Sequence, residues 1–494
     1  MKKQKNCSQK ADKKLQHRII VICVMLLYVV VNTVLAMHHE HWRDEAQAWL
    51  LAKNTSLPEL WNMCAVEGHP MLWFLILRAA ALFGLPYRYI SVISLVMTAA
   101  AFYLFVEKTG CPDWMKIWIG CSSVFWYYNA AFARPYGMVA LVVASIMALW
   151  ETRDRHPVLY GILTAAAFQS HVIMAGFAFG LVIDQVIICL RTKGKRKAKA
   201  AGMAFSITGM SMTAAQLMPK SIFQPSVPVA ETIKANMGTC TPIDGLGTVT
   251  SSIWKTPEGL EIAILAGSIV IAASLLLMAV SGMVANHRKK TQLPGPEIPF
   301  LCGFCFTLGI ISYVYTGTVQ LKIFFLVICM YYLTTAYHES NRGWRNQLIA
   351  VIALVLFVPT VAIWSLDAKE DLREPYSGGE AMAAYICRLP ENSVVLVRND
   401  CRIPSVYAPA EDENPSIEFY NVDESEPFKC FKWNGKVKEI GEQEIDALKE
   451  QFKEVNLYYL KTESNIPKLP VNAEYQTHVS FGYMESGYIL YDVN

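Results

Sequence analysis

Residues 18–49 read RIIVICVMLLYVVVNTVLAMHHEHWRDEAQAW, and the two halves of that stretch bear on fold and chemistry together. Ile19 to Met37 is a run of 19 residues without a charge, close to the ~20 that a helix needs to cross a hydrocarbon core of ~30 Å. It opens at once onto His38, His39, Glu40, His41, Trp42, Arg43, Asp44 and Glu45. A carboxylate at a lipid–water boundary is poorly solvated, so it needs a partner or has a task as base or ligand.

Outward from this stretch, composition sets the class. With 494 residues, 53% of them hydrophobic and only 17% charged, the chain is too apolar for a soluble protein of its length. Apolar runs fall near 19–37, 89–106, 116–132, 136–150, 158–174, 175–190, 201–218, 260–285, 298–316, 323–337 and 347–366. The expectation is a polytopic α-helical membrane protein of about eleven spans. Residues 1–18 form a basic inner terminus, 19–366 the membrane domain, and 367–494 a small C-terminal extracytoplasmic α/β domain. The formal charge of +3 implies no nucleic-acid partner.

Lysine and arginine set the orientation, because inner loops carry the excess. With the N-terminus inside, the inner segments hold 22 of the 44 basic residues and the outer loops nine. That bias places Asp44 outside. The apolar stretch Met71–Gly84 is too short to span and carries Arg78, so it is expected to lie in the outer leaflet. An apolar run of 19 residues exceeds the usual 7–15 of a cleaved leader, and the first span is read as an uncleaved anchor. Six of the 13 cysteines, Cys23, Cys121, Cys189, Cys302, Cys305 and Cys329, sit in apolar runs as small hydrophobes. Among Cys387, Cys401 and Cys430, one disulfide is open, with no pairing favoured.

Beyond residue 370 the pattern changes. A helical stretch runs to Arg388, then the β-branched run Ser393–Val397, a helix over 443–453, a strand at Asn456–Leu460 and a closing pair of strands within 475–493. Helix and strand alternating in this way predict an α/β module. It has no glycine-rich phosphate loop, so it reads as an accessory domain touching acceptor or partners.

The ionisable residues of the outer loop 38–88 are the candidate site. Asp44 and Glu45 are adjacent, so on a helix they point about 100° apart. Only one can face a given reacting atom. Glu67-Gly68-His69-Pro70 ends one amphipathic helix and starts another, fixing a carboxylate and an imidazole at a turn; interfacial capping would also explain them. His38, His41 and Glu45 have metal-ligand spacing on a helix, but histidines at a membrane edge are ordinary interfacial residues, so no metal is assigned. Arg134, before Pro135-Tyr136, can hold a lipid phosphate through its planar fork or snorkel to the headgroups. His171 and Lys322 fall at later outer turns, where a functional role and simple snorkelling or capping both fit. Arg43 and Tyr136 complete the set as possible lining.

Asp44-Glu45 after the first span, two amphipathic helices, Glu67-Gly68-His69-Pro70 and Arg134 in the second outer loop together resemble the GT-C membrane glycosyltransferases. The nearest groups are the protein O-mannosyltransferases and the bacterial transferases that place aminoarabinose on lipid A. The resemblance implies a polyprenyl-phosphate sugar donor, an outward-facing hydroxyl acceptor on lipid, glycan or protein, and a site on the outer face of a bacterial cell membrane. It implies Asp44 as general base, Glu45, Glu67 and His69 as support, and Arg134, Lys322 and His171 on the donor phosphate. Two departures stand out. The second outer loop lacks the acidic residue of the mannosyltransferase pattern, which makes a shared divalent metal doubtful, and the late turn Thr316–Lys322 has a single cation. A transporter or flippase would use the same groups as a substrate path, but the spans show no internal repeat. A catalytically inactive relative is the third reading.

Overall fold

The computed structural model describes residues 2–218, 241–254, 259–288, 293–313, 321–337, 343–431, 442–462, 474–479 and 487–493. Among them, five helices are long and apolar enough to cross a membrane: Leu15–His38, Tyr87–Lys108, Val172–Arg191, Glu261–His287 and Trp344–Asp371. Four shorter apolar helices accompany them, Leu72–Leu82, Tyr136–Thr152, Glu297–Ser312 and Lys322–Ala336. Large aliphatic side chains such as Ile20, Leu26, Val270 and Leu277 lie exposed on the long helices. In water such faces would be costly; in lipid they are at home. The chain is a polytopic helical membrane protein with a small sheet; of the eleven expected spans, five fall on these long apolar helices. The predicted turn at 316–320 lies outside the described residues.

The chain divides into two compact units: residues 1–37, 92–213 and 233–366 form one, and residues 38–91, 214–232 and 367–494 the other. The first unit is helical. Within it the helix Pro157–Ser170 packs closely on the helix Arg196–Leu217, because a Cβ on Gly161 would overlap the Gly202 carbonyl and one on Gly202 would overlap the Pro157 carbonyl. Small residues let the two backbones touch, as in membrane helix pairs generally. Gly202→Val is therefore expected to destabilise the protein by about 1–3 kcal/mol, read as a lower unfolding midpoint in detergent. An unchanged midpoint would show that the contact has slack.

One expected span is not a helix. The run 116–132 has an α-helix only at its start, Asp113–Gly120, and a single 3-10 turn at Tyr127–Asn129. The following residues 121–135 are irregular yet almost wholly buried, with Tyr127 at φ 54°. The segment runs back along the helix Ser91–Lys108: Lys116 Nζ donates to the Val106 carbonyl at 2.7 Å, Thr98 Oγ1 to the Asn129 carbonyl at 2.6 Å and Ser94 Oγ to the Arg134 carbonyl at 3.3 Å. Irregular backbone at membrane depth survives only if protein groups satisfy it. Here Tyr28 Oη donates to the Phe125 carbonyl, Trp364 Nε1 donates to the Cys121 carbonyl, Asn32 Oδ1 accepts from the Tyr127 N–H and Thr360 Oγ1 from that of Ser123. These partners come from distant helices, so hydropathy alone could not distinguish this segment from a span.

The second unit gathers the loop after the first span with the C-terminal region. Its sheet has the order β3-β2-β1-β4-β6-β5, where β1 is Ser393–Val397, β2 Glu418–Asn421, β3 Glu426–Pro427, β4 Asn456–Thr462, β5 Glu474–Val479 and β6 Tyr488–Asp492. β1 pairs in parallel with β2 and β4, and all five of its residues are buried, as suits a central parallel strand. Val394, Leu396, Tyr420, Leu448, Leu457, Tyr459 and Tyr491 share one core on this sheet. The helix Pro404–Glu413, which links β1 to β2, packs on the helix Arg43–Asn54. Lys53 reaches Glu411 at 3.0 Å and Asp412 accepts from the Tyr87 N–H at 2.6 Å. The helix Leu72–Leu82 has 11 residues and ends on Leu82 and Phe83, 81% and 93% exposed. It is too short to span, and its apolar tip suits the lipid interface. Cys387, Cys401 and Cys430 are free thiols, so the disulfide left open among them is absent.

Candidate active site

The first long helix ends at His38 and the next helix begins at Arg43, leaving residues 39–42 outside regular helix. That break takes His38 and His41 off the shared helical face read from the sequence. His38 is exposed, while His39 and His41 are buried and turn to different partners. His39 Nε2 lies 3.0 Å from Glu45 Oε2, and its Nδ1 lies 2.8 Å from Asp371 Oδ2. His41 Nε2 meets Ser91 Oγ at 2.9 Å. Among the described residues no group of three or more His, Cys, Asp or Glu side chains could hold a metal ion.

Glu45 is the third residue of its helix and wholly buried. Its carboxylate accepts from the Trp42 N–H at 3.1 Å, which satisfies a backbone donor at the helix start. Glu40 does similar work elsewhere: its two oxygens accept from the Ser377 and Glu380 N–H groups at 3.0 and 2.8 Å, at the start of the helix Gly379–Ile386. Asp44 differs from both. Its side chain is 32% exposed and meets Arg43 Nε at 3.5 Å, an ion pair open to solvent and therefore weak. The ~100° between neighbouring residues thus separates a buried cap, Glu45, from a half-exposed carboxylate, Asp44.

Charge in the buried cluster is unevenly shared. Burial alone would lower the His39 pKa, but the adjoining Glu45 and Asp371 carboxylates outweigh it and bring it to about 10. Burial lowers that of His41 to about 4, with no carboxylate bonded to its ring. His39 is thus a cation at neutral pH and His41 is neutral. For His39 the folded value lies above the unfolded one, so its contribution to stability is full below pH ~6.5 and fades as pH rises towards 10. For His41 the order is reversed, and stability is lost as pH falls from ~6.5 towards 4. Unfolding midpoints followed from pH 4 to 10 should show His39→Gln flattening the alkaline limb and His41→Gln the acid limb. Limbs unchanged by these substitutions would contradict the assigned charges.

Glu67 and His69 flank Gly68, which ends the helix Leu57–Glu67 in the left-handed conformation at φ 67°. His69 Nδ1 bonds the Glu67 carbonyl, and Gln47 Nε2 reaches Glu67 Oε1 at 3.4 Å. Gln47 also clamps the Phe431 backbone, giving to its carbonyl at 2.7 Å and accepting from its N–H at 3.0 Å. Both residues are half-buried at this turn.

Arg134, His171, Lys322 and Tyr136 belong to the first unit. All four are buried, at 6%, 7%, 1% and 3% exposure. The His171 ring lies 4.2 Å from that of Phe324, and Tyr136 meets the same Phe324 ring edge-on at 5.6 Å. Two residues before Phe324, Lys322 Nζ sits 4.9 Å over the Tyr128 ring. His171 Nδ1 accepts from the Ile173 N–H at 3.2 Å, which leaves the Nε2 edge of the neutral ring to carry the proton. Lys322 is thus a buried cation seated on an aromatic face. Asp371, Ser91 and Glu380 were missed from sequence. Asp371 is 332 positions from His39, and no local pattern links them.

No family model matches the chain, and no curated protein matches it. Among solved structures it is similar to the arabinofuranosyltransferase AftD from Mycobacteria, determined by single-particle cryo-electron microscopy. The identity is 11% and the TM-score 0.38, over 95% of this chain and 40% of that one. The chain spans 40% of the length of that protein, and a superposition this loose decides neither fold family nor activity.

Proposed function

We propose that the protein is a glycosyltransferase that moves a sugar from a polyprenyl-phosphate donor to a hydroxyl acceptor on a lipid, glycan or protein at the outer face of a bacterial membrane. The observation that carries this reading is the division of the acidic pair. Glu45 is spent on the helix cap and His39, whereas Asp44 keeps a half-exposed carboxylate in a solvent-open ion pair with Arg43. A base must be reachable and able to release its partner, and Asp44 meets both conditions.

In the proposed reaction the acceptor oxygen attacks the anomeric carbon and the bond from that carbon to the phosphate oxygen breaks, with inversion. Asp44 takes the hydroxyl proton, and the bonding electrons leave with the polyprenyl phosphate. Arg134 and Lys322, with the His171 N–H, would offset the charge that develops on that phosphate. Glu67 and His69 would support the acceptor side, with Arg43 and Tyr136 as lining. The chemistry requires no cofactor, and no metal is assigned.

Donor binding tests the phosphate half of this reading. In full-length protein reconstituted in nanodiscs, Arg134→Gln is expected to weaken a polyprenyl-phosphate sugar by about tenfold or more, while Asp44→Asn leaves its affinity unchanged. Equal affinity for Arg134→Gln and wild type would remove Arg134 from the donor site.

A further inference from the structure

The helix that His171 precedes ends at Arg191, some 25 Å further along. There the first unit contains a cavity of about 400 Å³ that the proposed transfer reaction does not use. Ile187, Met283 and Val284 line it with apolar surface, and Arg191 and His287 line it as exposed groups. These residues belong to Val172–Arg191 and Glu261–His287, two of the helices suited to crossing a membrane. Leu190 and Val284 beside them are 81% and 46% exposed, so apolar surface continues outward from the cavity.

The buried side of the cavity is built, not a chance gap. Arg153 is held by Asp184 through two bonds at 2.9 and 3.1 Å, and its Nη2 also donates to the Pro294 carbonyl at 2.6 Å, fixing the lining turn. Glu297, the one acidic residue in the lining, is buried and accepts from Asn286 Nδ2 at 3.2 Å and Arg345 Nη2 at 3.5 Å. A Cβ on Gly295 would meet the ends of the Glu297 and Asn286 side chains, so the turn packs closely against this pair. The Glu297 charge is thereby taken up inside the protein. Arg191 and His287 remain as the exposed polar groups, and each is followed in sequence by further bases: Lys193, Lys195 and Arg196 after one, Arg288, Lys289 and Lys290 after the other.

We propose that this cavity binds an acidic phospholipid, with its headgroup phosphate on Arg191 and His287 and an acyl chain along Ile187 and Val284. A guanidinium and an imidazole at the mouth of an apolar interhelical groove, each followed in sequence by further basic residues, match that ligand in charge and in shape. A soluble anion would use the charge but leave the apolar wall idle. The proposed occupancy does not depend on the transfer reaction.

The test is native mass spectrometry of the full-length protein released from detergent with phosphatidylglycerol or phosphatidylcholine, for wild type and for Arg191→Gln/His287→Gln. Both substituted residues are exposed, and an unchanged unfolding midpoint will confirm that the variant is folded. Wild type is expected to retain phosphatidylglycerol over phosphatidylcholine, and the double variant to lose roughly fivefold of that preference or more. Millimolar inorganic phosphate should not displace the lipid. Equal retention of the two lipids, retention of phosphatidylglycerol undiminished in the variant, or full displacement by inorganic phosphate would each overturn the proposal.

Discussion

Asp44→Asn is expected to lower sugar transfer by about 10²- to 10⁴-fold, the usual contribution of a positioned general base. The amide is close in size to the carboxylate but cannot accept the acceptor's proton. Because Asp44 is half-exposed and its ion pair with Arg43 is weak, the substitution should leave the fold intact. The loss should therefore fall on turnover with little effect on donor affinity. Glu45→Gln provides the contrast. It removes a buried negative charge beside His39, so its first effect should be a lower unfolding midpoint, with transfer falling as a consequence. Steady-state transfer rates and thermal unfolding on the same two preparations separate the roles. Transfer undiminished in Asp44→Asn would end its assignment as base.

Arg153→Met carries the largest expected cost in stability. The guanidinium is buried at 2% exposure, paired with Asp184 through two bonds, stacked 3.6 Å from the Trp150 ring centre, and bonded to the Trp150 and Pro294 carbonyls. Removing it leaves the Asp184 carboxylate buried with, among the described residues, the Tyr160 hydroxyl at 2.8 Å as its side-chain partner. Breaking one side of such a pair costs about 3–5 kcal/mol, whereas replacing both sides with apolar residues is often neutral or better. Arg153→Met/Asp184→Leu should therefore recover much of the midpoint that Arg153→Met loses. If the double variant is no more stable than the single, the ion pair is not the main source of the loss.

Legibility from sequence followed the range of the interactions. The long spans were visible because hydropathy is a local property: the runs at 19–37, 89–106, 175–190, 260–285 and 347–366 each lie on one of the five long apolar helices. The run 116–132 had the same composition but a different backbone. Its carbonyls and N–H groups are satisfied by Tyr28, Asn32, Thr360 and Trp364, which no window of sequence brings together. In the second unit β1 and β4 were visible as β-branched and aromatic runs. The helix Pro404–Glu413 was hidden by Pro409 in its interior, which ordinarily argues against helix. The same contrast holds at the candidate site. Helical geometry separated Asp44 from Glu45 in advance, because the angle between neighbours is fixed by the backbone. That His39 would bridge Glu45 to Asp371 was not readable, since the contact joins residues brought together only by tertiary folding. The chain breaks helix at 39–42, and this also removed the face on which His38 and His41 were expected to meet.

The most direct test of the proposed function is consumption of donor. Full-length wild-type protein, reconstituted in lipid with a membrane extract as acceptor source, would be given a panel of radiolabelled polyprenyl-phosphate sugars. The account predicts that label from at least one donor passes to an acceptor with inverted anomeric configuration and release of the polyprenyl phosphate. Intact donor across the whole panel, or donor moved across the bilayer without cleavage, would contradict it.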